Sequence, residues 1–544
     1  MLRFSGFLAA SLLSVLCLAG PISAQTVIQI GAGSGTLLAP RLKFTRDEMK
    51  LAEAVAARPY LAAFYGGNGL KPVFQGESGE RLRNALGEAV SQAPRHGLPR
   101  SRYRPEALKA ATAGLEAELL HAEVLARYLE DMTGGALDPQ AVSRQNHRRV
   151  VRPVISELIA QFVQSADPLA FLLRQAPRHP AYLALQQALN GPADISVPTD
   201  LPRAPEAVWR VGMRGAGVLP LRARLASIGF AAEGDDPLVY DAALSAAVAR
   251  YQSAVGLAAD GIAGPRTIRH LNGDVDASGT GRSRKIIAAL ERMRWMAGED
   301  LDSRHVWVNI PEFTARVIDG GTEVFRTRVV VGKSDDDMQT PEFSDRMEYV
   351  VVNPRWNVPR SITVREYLPR LKDNRYALSH LDVVDGRGKV IPRDRIDFSR
   401  YTAANFPYRM RQQPGTRNAL GLVKFIFPNR WNIYLHDTPS KHLFGNRVRA
   451  YSHGCVRVGD PFDLAETLLS AQSSNPGALF RRALDSGQEK WLKLTPELPV
   501  HLVYFTAYPD ETGRIRYFDD IYGRDDAILR GLDAIALDSG AESE

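Results

Sequence analysis

The stretch Ser452-His-Gly-Cys-Val-Arg457 carries the residues that decide the fold and the chemistry of this chain. Its cysteine, Cys455, is one of two in the sequence, and the other lies in an apolar N-terminal run that has the pattern of a cleaved signal peptide. His453 is two positions away from the thiol, and His436 precedes it by 19 residues. A lone thiol with two nearby histidines has the composition of a nucleophile and its base.

The residues that end at His436 predict a strand. In Asn432-Ile-Tyr-Leu-His436, alternation of side chains puts Ile433 and Leu435 on one face. Asn432, Tyr434 and His436 share the other face. His436 therefore ends a strand on the side opposite its apolar residues, with Tyr434 on the same side.

Cys455 is predicted to lie where a polar loop enters a short strand. Gly454 lets the backbone approach a ligand closely, and we expect the N–H groups of Gly454 and Cys455 to turn toward an oxyanion. If the backbone is extended there, His453 and Cys455 point to the same face. A free thiol has a pKa of about 8.5, so it needs a nearby imidazole or cation to be mostly thiolate at neutral pH. His436 and His453 are the candidates.

Cys455 and the two histidines have two other interpretations, a core cysteine and a zinc site. A single cysteine is more often a small core residue than a nucleophile, but a cysteine between His and Gly in a polar loop fits that role poorly. A zinc site from His436, His453 and Cys455 would need a fourth ligand, or an activated water with a base, and no CxxC or HxxEH spacing supports it. We therefore predict no metal and no cofactor.

Length and composition indicate an exported multidomain protein. A chain of 544 residues is too long for one ordinary core, and 45% hydrophobic with 24% charged residues is a normal globular composition. Residues 1–24 have a basic start, a short apolar core and small residues before the cleavage position, which predicts a secretory signal. The predicted location is the periplasm, with an uncleaved anchor as the alternative. We predict no membrane span in the mature chain. The net charge of +7 suits an anionic polymer or simply solvated faces.

The predicted fold class is multidomain α+β, in which a helical region precedes a mainly β domain. Ala- and Leu-rich stripes at helix spacing predict the helices, and short β-branched or aromatic runs bounded by Gly, Pro or Asn predict a largely antiparallel sandwich or barrel. A charged, turn-rich insertion at residues 365–417 is interpreted as a lid over a site. The predicted divisions are a linker (25–44), a helical scaffold domain (45–200), a three-helix module (210–275), the β domain (283–535) and an acidic, frayed tail (536–544).

The three-helix module resembles the peptidoglycan-binding repeat of cell-wall enzymes. The residues that carry this resemblance span nearly the whole module, and the alternative is a helical spacer that has lost its ligand. They are Leu225-Ala-Ser-Ile-Gly-Phe230, Tyr251-Gln252, Gly256-Leu257, Asp260-Gly261, Gly264-Pro265, Thr267 and Leu271-Asn272.

His436 together with Ser452-His-Gly-Cys-Val-Arg457 resembles the signature of the L,D-transpeptidase catalytic domain, the YkuD-type fold. The last signature position is often Asn, and here it is Arg457, which leaves open whether that position supports the oxyanion loop or binds a substrate carboxylate. The order of helical scaffold, binding repeat, catalytic domain and insertion is similar to that of the large periplasmic members. Other stretches that resemble the family are Lys333, Asn353-Pro-Arg-Trp-Asn-Val-Pro359 with Ser361-Ile362, and Gly421-Leu-Val-Lys-Phe425, and in them Trp356 is interpreted as a fold residue.

The resemblance implies a two-step acyl transfer on peptidoglycan. The thiolate would attack the carbonyl of the third residue of a tetrapeptide stem, expel D-alanine, and pass the acyl group to the amine of a second stem as a 3→3 cross-link. The open alternatives are an L,D-carboxypeptidase, attachment or release of a protein on the wall, and a non-catalytic binding scaffold. The implied partners are stem peptides, glycan and other wall-synthesis enzymes, not nucleic acid. The implied roles are Cys455 as nucleophile, His436 as base, His453 and Gly454 in the catalytic loop, and Arg457, Ser452 and Tyr434 in substrate binding.

Overall fold

The structure is a computed structural model that describes residues 44–191, 200–255, 257–273 and 280–541. The predicted signal peptide, all but the last residue of the predicted linker, and the last three residues of the predicted tail lie outside the described residues. Among the helices that are described, none is both long enough and apolar enough to cross a bilayer.

The N-terminal region is helical, as predicted. Its first helix begins with a capping box, in which the Thr45 side chain accepts from the Glu48 N–H and the Glu48 carboxylate accepts from the Thr45 N–H. Apolar faces of these helices share one core. The helices are α1 (Arg46–Val55), α2 (Pro59–Gly67), α3 (Gly76–Ser91), α4 (Pro105–Ala110), α5 (Gly114–Gly134), α6 (Pro139–Val142), α7 (Ile155–Gln164), α8 (Pro168–Leu173) and α9 (Pro180–Leu189).

The predicted three-helix module has a separate small core. Its helices are α10 (Val218–Ser227), α11 (Ala242–Ala254) and α12 (Pro265–Leu271). Leu221 and Leu225 of the first helix and Tyr251 of the second are fully buried in that core. Gly229 follows the first helix with a φ of +85°, a left-handed conformation that favours glycine and ends the helix.

Helix α13 (Thr280–Trp295) joins the helical region to the β domain. Ala288 and Trp295 belong to the core of the N-terminal helices, whereas Ile286 and Leu290 pack in a second core with Trp307 of the β domain. The two faces of one helix are therefore buried against two different domains, and the charged side chains buried with them include Glu291 and Arg294, which form an ion pair.

The β domain is built on a nine-stranded sheet that closes on itself. The strand order is β10-β3-β11-β9-β8-β4-β12-β1-β2, and an additional pairing of β2 with β3 closes all strands except β10 into a ring. Of the two predicted alternatives, sandwich and barrel, the closed sheet is the barrel. The strands are β1 (His305–Asn309), β2 (Thr314–Asp319), β3 (Thr322–Gly332), β4 (Phe343–Val352), β5 (Trp356–Asn357), β6 (Asp382–Val384), β7 (Arg409–Gln412), β8 (Val423–Ile426), β9 (Leu435–His436), β10 (Ala450–Ser452), β11 (Val456–Val458), β12 (Lys490–Val503), β13 (Ala507–Pro509) and β14 (Ile515–Tyr517).

The pairing is mixed rather than simply antiparallel. Strand β1 runs parallel to β12, β3 parallel to β10, and β9 parallel to β11, while the other pairs of the large sheet are antiparallel. The parallel pair β9 and β11 sets the two signature stretches side by side. Two helices, α16 (Pro461–Leu469) and α17 (Pro476–Asp485), cover one part of the barrel, and their buried side chains join its core.

The insertion at 365–417 is more ordered than its turn-rich sequence predicts. It contributes strands β6 and β7 to a three-stranded sheet with β5, and it contains helix α15 (Leu368–Asp373), which follows α14 (Arg360–Ile362) and a π-helical turn at Thr363–Tyr367. This sheet has its own apolar core, which includes Trp356, Leu371 and Met410. The strands were missed because they are three or four residues long and rich in charged side chains.

The C-terminal tail also differs from the prediction. A frayed tail is predicted for residues 536–544, but helix α18 runs from Arg524 to Ala541. Its Ile528 and Leu532 pack into the core of the N-terminal helices, whereas Leu537 is exposed. Burial against a distant part of the chain therefore anchors the first part of this helix. The predicted fold class, helical region, three-helix module and mainly β domain, is confirmed.

Candidate active site

Three neighbouring strands bring the signature residues together. In the register of the sheet, Lys424 of β8 is the partner of His436 on β9, and His436 is the partner of Arg457 on β11. Because directly paired residues in adjacent strands point to the same face, these three basic side chains form one row across the barrel. The lone thiol, Cys455, immediately precedes β11 and therefore lies beside this row.

Cys455 opens into a cavity of about 670 Å³ between the barrel and the insertion. The thiol is partly buried, and its Sγ lies 3.6 Å from the backbone oxygen of Asn432. The barrel and catalytic loop supply Tyr434, His436, Ser452, His453, Cys455 and Arg457 to the cavity wall, and the region of the insertion supplies Trp356, Arg360, Glu366, Tyr367, His380 and Arg417. The cavity thus contains all the predicted site residues except Gly454.

Opposing effects act on the Cys455 thiol. Burial raises its pKa above the ordinary value, because a thiolate is costly to desolvate. The backbone N–H and the hydroxyl of Tyr434 and the cations Lys424 and Arg457 act on the pKa in the opposite direction. The thiol is therefore protonated at neutral pH in the free protein, and it has the groups needed to stabilise a thiolate once a base removes the proton.

His436 lines the same cavity as Cys455, and its ring has a nitrogen that can accept a proton. Its ring is buried, and its Nδ1 donates to the backbone oxygen of Asp437, which leaves Nε2 as the nitrogen with a free lone pair. Burial lowers the pKa of His436 to about 3, and the neighbouring positive charges of Arg457 and Lys424 add to that effect. The imidazole is consequently neutral at physiological pH and is able to accept a proton.

Gly454 and Ser452 shape the loop rather than supply two free N–H groups. The Gly454 N–H donates to Ser452 Oγ at 3.1 Å, and Ser452 Oγ donates to the backbone oxygen of Cys455 at 2.5 Å. The expectation that the Gly454 N–H turns toward an oxyanion is therefore wrong, since a side chain already accepts from it. Within the described residues the Cys455 N–H has no protein acceptor. Ser452 is buried, so it holds the loop and does not offer an exposed hydroxyl to a substrate.

Glycine is required at position 454 for two reasons. Its φ is +109°, a conformation that other residues rarely adopt, and a Cβ there would meet Ile433 Cδ1 at 3.1 Å. The bend also means that the backbone between His453 and Cys455 is not extended, so the condition for placing both side chains on one face is not met.

His453 contacts the insertion. Its side chain is exposed, and its Nε2 lies 2.7 Å from the Glu366 carboxylate in the π-helical turn. A second ion pair, Arg365 with Asp337 at 2.6 Å, joins the same turn to the loop after β3. The contacts of His453 therefore tie the catalytic loop to the insertion beside the cavity.

Tyr434 and Trp356 interact with each other at the bottom of the cavity. The Tyr434 ring is buried, and its hydroxyl interacts both with the Cys455 thiol and with the Trp356 side chain. Trp356 lines the cavity as well as the core of the insertion, so its interpretation as a fold residue alone is incomplete.

Three contributing residues were missed in the sequence: Lys424, Glu366 and Thr340. Lys424 had a usable signal, because alternation with the apolar Val423 and Phe425 places it on the face of the sheet opposite the core. No local sequence pattern indicated Glu366 or Thr340, since the tertiary fold brings them to the site.

Thr340 ties the catalytic loop to the barrel. It is fully buried, and its Oγ1 accepts from the Gly332 N–H at 2.9 Å and donates to the Gly454 carbonyl at 2.7 Å. The backbone oxygen of Thr340 in turn accepts from the Arg524 guanidinium at 2.9 Å. The Thr340 hydroxyl thus links β3 to the catalytic loop, and the Thr340 backbone oxygen links both to helix α18.

Thr340→Val is expected to destabilise the protein and loosen the catalytic loop. The substitution keeps the shape of the side chain but leaves the Gly332 N–H and the Gly454 carbonyl without their buried partner, at a cost of about 2–4 kcal/mol in the free energy of unfolding. Denaturant unfolding measures it. The matched control, Thr340→Ser, keeps the hydroxyl, and equal losses in the two variants would contradict this role.

Metal binding has no visible basis in the described ranges. No group of three or more His, Cys, Asp or Glu side chains there is arranged to hold an ion.

Three regions of the chain match known protein families. Residues 303–479 match the L,D-transpeptidase catalytic domain, YkuD. Residues 59–189 match a family described as "Scaffold domain", and residues 214–271 match the "Putative peptidoglycan binding domain". The resemblance of the β domain to the YkuD-type catalytic domain and of the three-helix module to the peptidoglycan-binding repeat is confirmed for the residues that these matches cover.

Two known proteins are similar to parts of the chain. A Haemophilus influenzae protein named "Putative L,D-transpeptidase" is 36% identical over 225 residues, which are 41% of this chain and 45% of that protein. The chain thus spans less than half of that relative's length. A solved L,D-transpeptidase (residues 123–326) from Xylanimonas cellulosilytica is 16% identical, with 56% of this chain and 98% of that chain covered and a TM-score of 0.17.

Proposed function

We propose that this protein is an L,D-transpeptidase that forms 3→3 cross-links in peptidoglycan through a thioester on Cys455. The observation that carries the proposal is that Cys455, the one thiol among the described residues, shares with a buried, neutral histidine a cavity that residues of the insertion also line. The family match of residues 303–479 supports the same class of reaction.

In the first step the Cys455 sulfur attacks the carbonyl carbon between the L-centre of the third stem residue and the terminal D-alanine. The thiol proton passes to His436 Nε2, and the new C–S bond converts the carbonyl to a tetrahedral oxyanion. Because His436 is a weak base when buried, this proton transfer is concerted with attack on the carbonyl. The Cys455 N–H, which has no protein acceptor among the described residues, is the backbone donor available to the oxyanion.

Collapse of the oxyanion breaks the C–N bond. The imidazolium of His436 gives its proton to the departing nitrogen, so D-alanine leaves as an amine and the acyl group stays on sulfur. A strongly lowered pKa makes His436 an effective acid at this point, since the protonated ring gives up its proton readily.

In the second step the side-chain amine of another stem attacks the thioester carbon. His436 takes a proton from the attacking nitrogen, the C–S bond breaks, and the proton returns to the Cys455 sulfur. The product is an amide between two third residues. Water in place of the amine would give a carboxypeptidase, so the covering insertion favours the transferase by restricting access.

Positive side chains at the cavity suit an anionic stem peptide. Arg457 lies on the floor beside the thiol, and Arg360 and Arg417 line the wall of the insertion. A guanidinium binds a carboxylate in bidentate geometry, so these residues are proposed to bind carboxylates of the donor stem. Arg457 is partly buried and close enough to interact with the charge of Cys455, which favours a position near the reacting centre.

The remaining parts of the chain are proposed to serve the same reaction. The three-helix module would hold the enzyme on peptidoglycan, residues 1–24 would direct export to the periplasm, and the predicted domain divisions stay predictions. A carbapenem, which acylates nucleophiles of this class, is expected to act as an inhibitor.

The product of the reaction decides among the alternatives. Purified tetrapeptide muropeptides incubated with the protein are expected to yield a dimer that has lost one D-alanine, detected by mass. A tripeptide product without dimer would show a carboxypeptidase instead. No change in the substrate under conditions where the folded protein still binds sacculi would leave only the binding scaffold.

A further inference from the structure

Lys424 lies over one face of the Tyr434 ring. Its Nζ is 3.7 Å from the centroid of the Tyr434 ring, the closest approach of a cation to an aromatic ring among the described residues. A desolvated ammonium at this distance interacts strongly with the electron-rich face of the ring. The cation draws electron density from the phenol, which makes its O–H a better hydrogen-bond donor.

Trp356 orients the Tyr434 hydroxyl. The indole N–H is a donor only, so where the two side chains interact the Tyr434 oxygen must be the acceptor. The proton of the same hydroxyl is then left for its other neighbour, the Cys455 sulfur. The Lys424 ammonium therefore contacts the Tyr434 ring, and the Trp356 indole N–H donates to the Tyr434 oxygen. The Tyr434 hydroxyl in turn donates to the Cys455 sulfur.

We infer that Lys424 is a positioning residue for the acyl transfer: through the Tyr434 ring it polarises the hydroxyl that stabilises the Cys455 thiolate. The inference deepens the proposed function and rests on it only in taking Cys455 as the nucleophile. Lys424 is absent from the wall of the catalytic cavity and lines a separate cavity of about 240 Å³ behind the site, so it acts without touching the substrate.

Other charged groups lie around Lys424 and around the Cys455 thiol. The carboxylate of Glu489 faces Lys424 from the segment before β12, and it lines the same rear cavity. Arg457 on β11 and His436 on β9 flank the thiol from the strands beside it, and His453 with Glu366 lies across the catalytic cavity.

Arg457 and Lys424 are the two cations that act on the thiol. Arg457 reaches it from the substrate side and Lys424 from behind. Loss of Lys424 therefore removes only one of two positive contributions, and a partial effect is expected rather than a complete loss.

The test measures ionisation of the thiol, which needs no acyl substrate. The rate of Cys455 alkylation by iodoacetamide is followed against pH in the full chain. Lys424→Met is expected to move the midpoint of this profile upward by about one pH unit and to slow alkylation at pH 7.5 about tenfold. Lys424→Arg is expected to restore most of the rate. Lys493→Met, which removes an exposed lysine from β12, is the matched control and is expected to leave the profile unchanged.

A double-mutant cycle separates action through Tyr434 from a merely structural role. In a Tyr434→Phe background, Lys424→Met is expected to slow alkylation only about two- to threefold, because the hydroxyl is gone and only the direct charge interaction between Lys424 and the thiol remains. Equal effects in the two backgrounds, or an unchanged pH midpoint in a folded Lys424→Met protein, would overturn the inference. If alkylation follows these expectations while no muropeptide product forms, the proposed function fails and the inference about the thiol stands.

Discussion

Cys455→Ala is expected to abolish formation of the muropeptide dimer, with a loss of roughly 10⁴-fold or more. The reason is that no other thiol is present in the described residues and that this sulfur opens into the cavity proposed to hold the donor stem. The measurement is the yield of dimer from tetrapeptide muropeptides, read by mass. The fold is expected to survive, because the side chain is only partly buried and alanine is smaller.

Cys455→Ser is the matched variant for this prediction. Its hydroxyl keeps the hydrogen-bonding capacity of the position but is a far weaker nucleophile than a thiol beside a neutral histidine. Both variants should bind sacculi as well as wild type, since the three-helix module is untouched. Dimer formation by Cys455→Ala at more than about a hundredth of the wild-type rate would show that another group carries the reaction.

His436→Gln is expected to lower the rate of acyl transfer by roughly 10²–10⁴-fold. Glutamine keeps a polar side chain of similar reach but cannot accept and return a proton. The rate is measured as acylation of Cys455 by a carbapenem. His453→Gln is the matched control, and its effect is expected to be at least tenfold smaller, because His453 is exposed and bonded to Glu366.

The pH dependence of the acylation rate is a second test of the role of His436. The pKa of His436 is lowered to about 3 in the folded protein, so its proton-accepting form persists through the physiological range. The rate of acylation should therefore show no inflection near pH 6.5. An acidic limb centred there, present in wild type and absent in His436→Gln, would contradict the burial argument.

The lowered pKa of His436 also makes the free energy of unfolding depend on pH. On acidification the unfolded chain binds a proton at His436 below its ordinary pKa of about 6.5, whereas the folded chain does so only near 3. A lowered histidine pKa thus costs stability as pH falls below 6.5. Between pH 7 and pH 5, wild type is expected to lose about 2 kcal/mol more of unfolding free energy than His436→Gln. Equal losses would mean that the folded histidine titrates normally.

Local patterns were sufficient for some parts of the site. Alternation in the run before His436 correctly placed Leu435 in the barrel core and Tyr434 at the cavity, whereas Ile433 lies in the barrel core and also lines the cavity. The strand is shorter than the predicted run, because β9 covers only Leu435–His436. The glycine and cysteine of the signature marked a loop that enters a strand, and that is where the thiol lies.

Other parts depend on long-range contacts that no local pattern reports. His453 and Cys455 are two residues apart, but the positive φ of Gly454 turns one to the insertion and the other to the cavity. Thr340 reaches the Gly454 carbonyl across 114 positions of sequence, and helix α18 is anchored by burial of Ile528 and Leu532 in the core of the N-terminal helices. Closure of the barrel likewise depends on the β2–β3 pairing, which strand composition alone does not determine.

The most direct test of the central claim is the mass of the protein after exposure to an acyl donor. Wild type incubated with a carbapenem and analysed intact should gain one equivalent of the drug, and peptide mapping should place the adduct on Cys455. Cys455→Ala should gain nothing. An intact wild-type mass without any adduct, from folded protein whose thiol still reacts with iodoacetamide, would contradict the account of Cys455 as the acylated nucleophile.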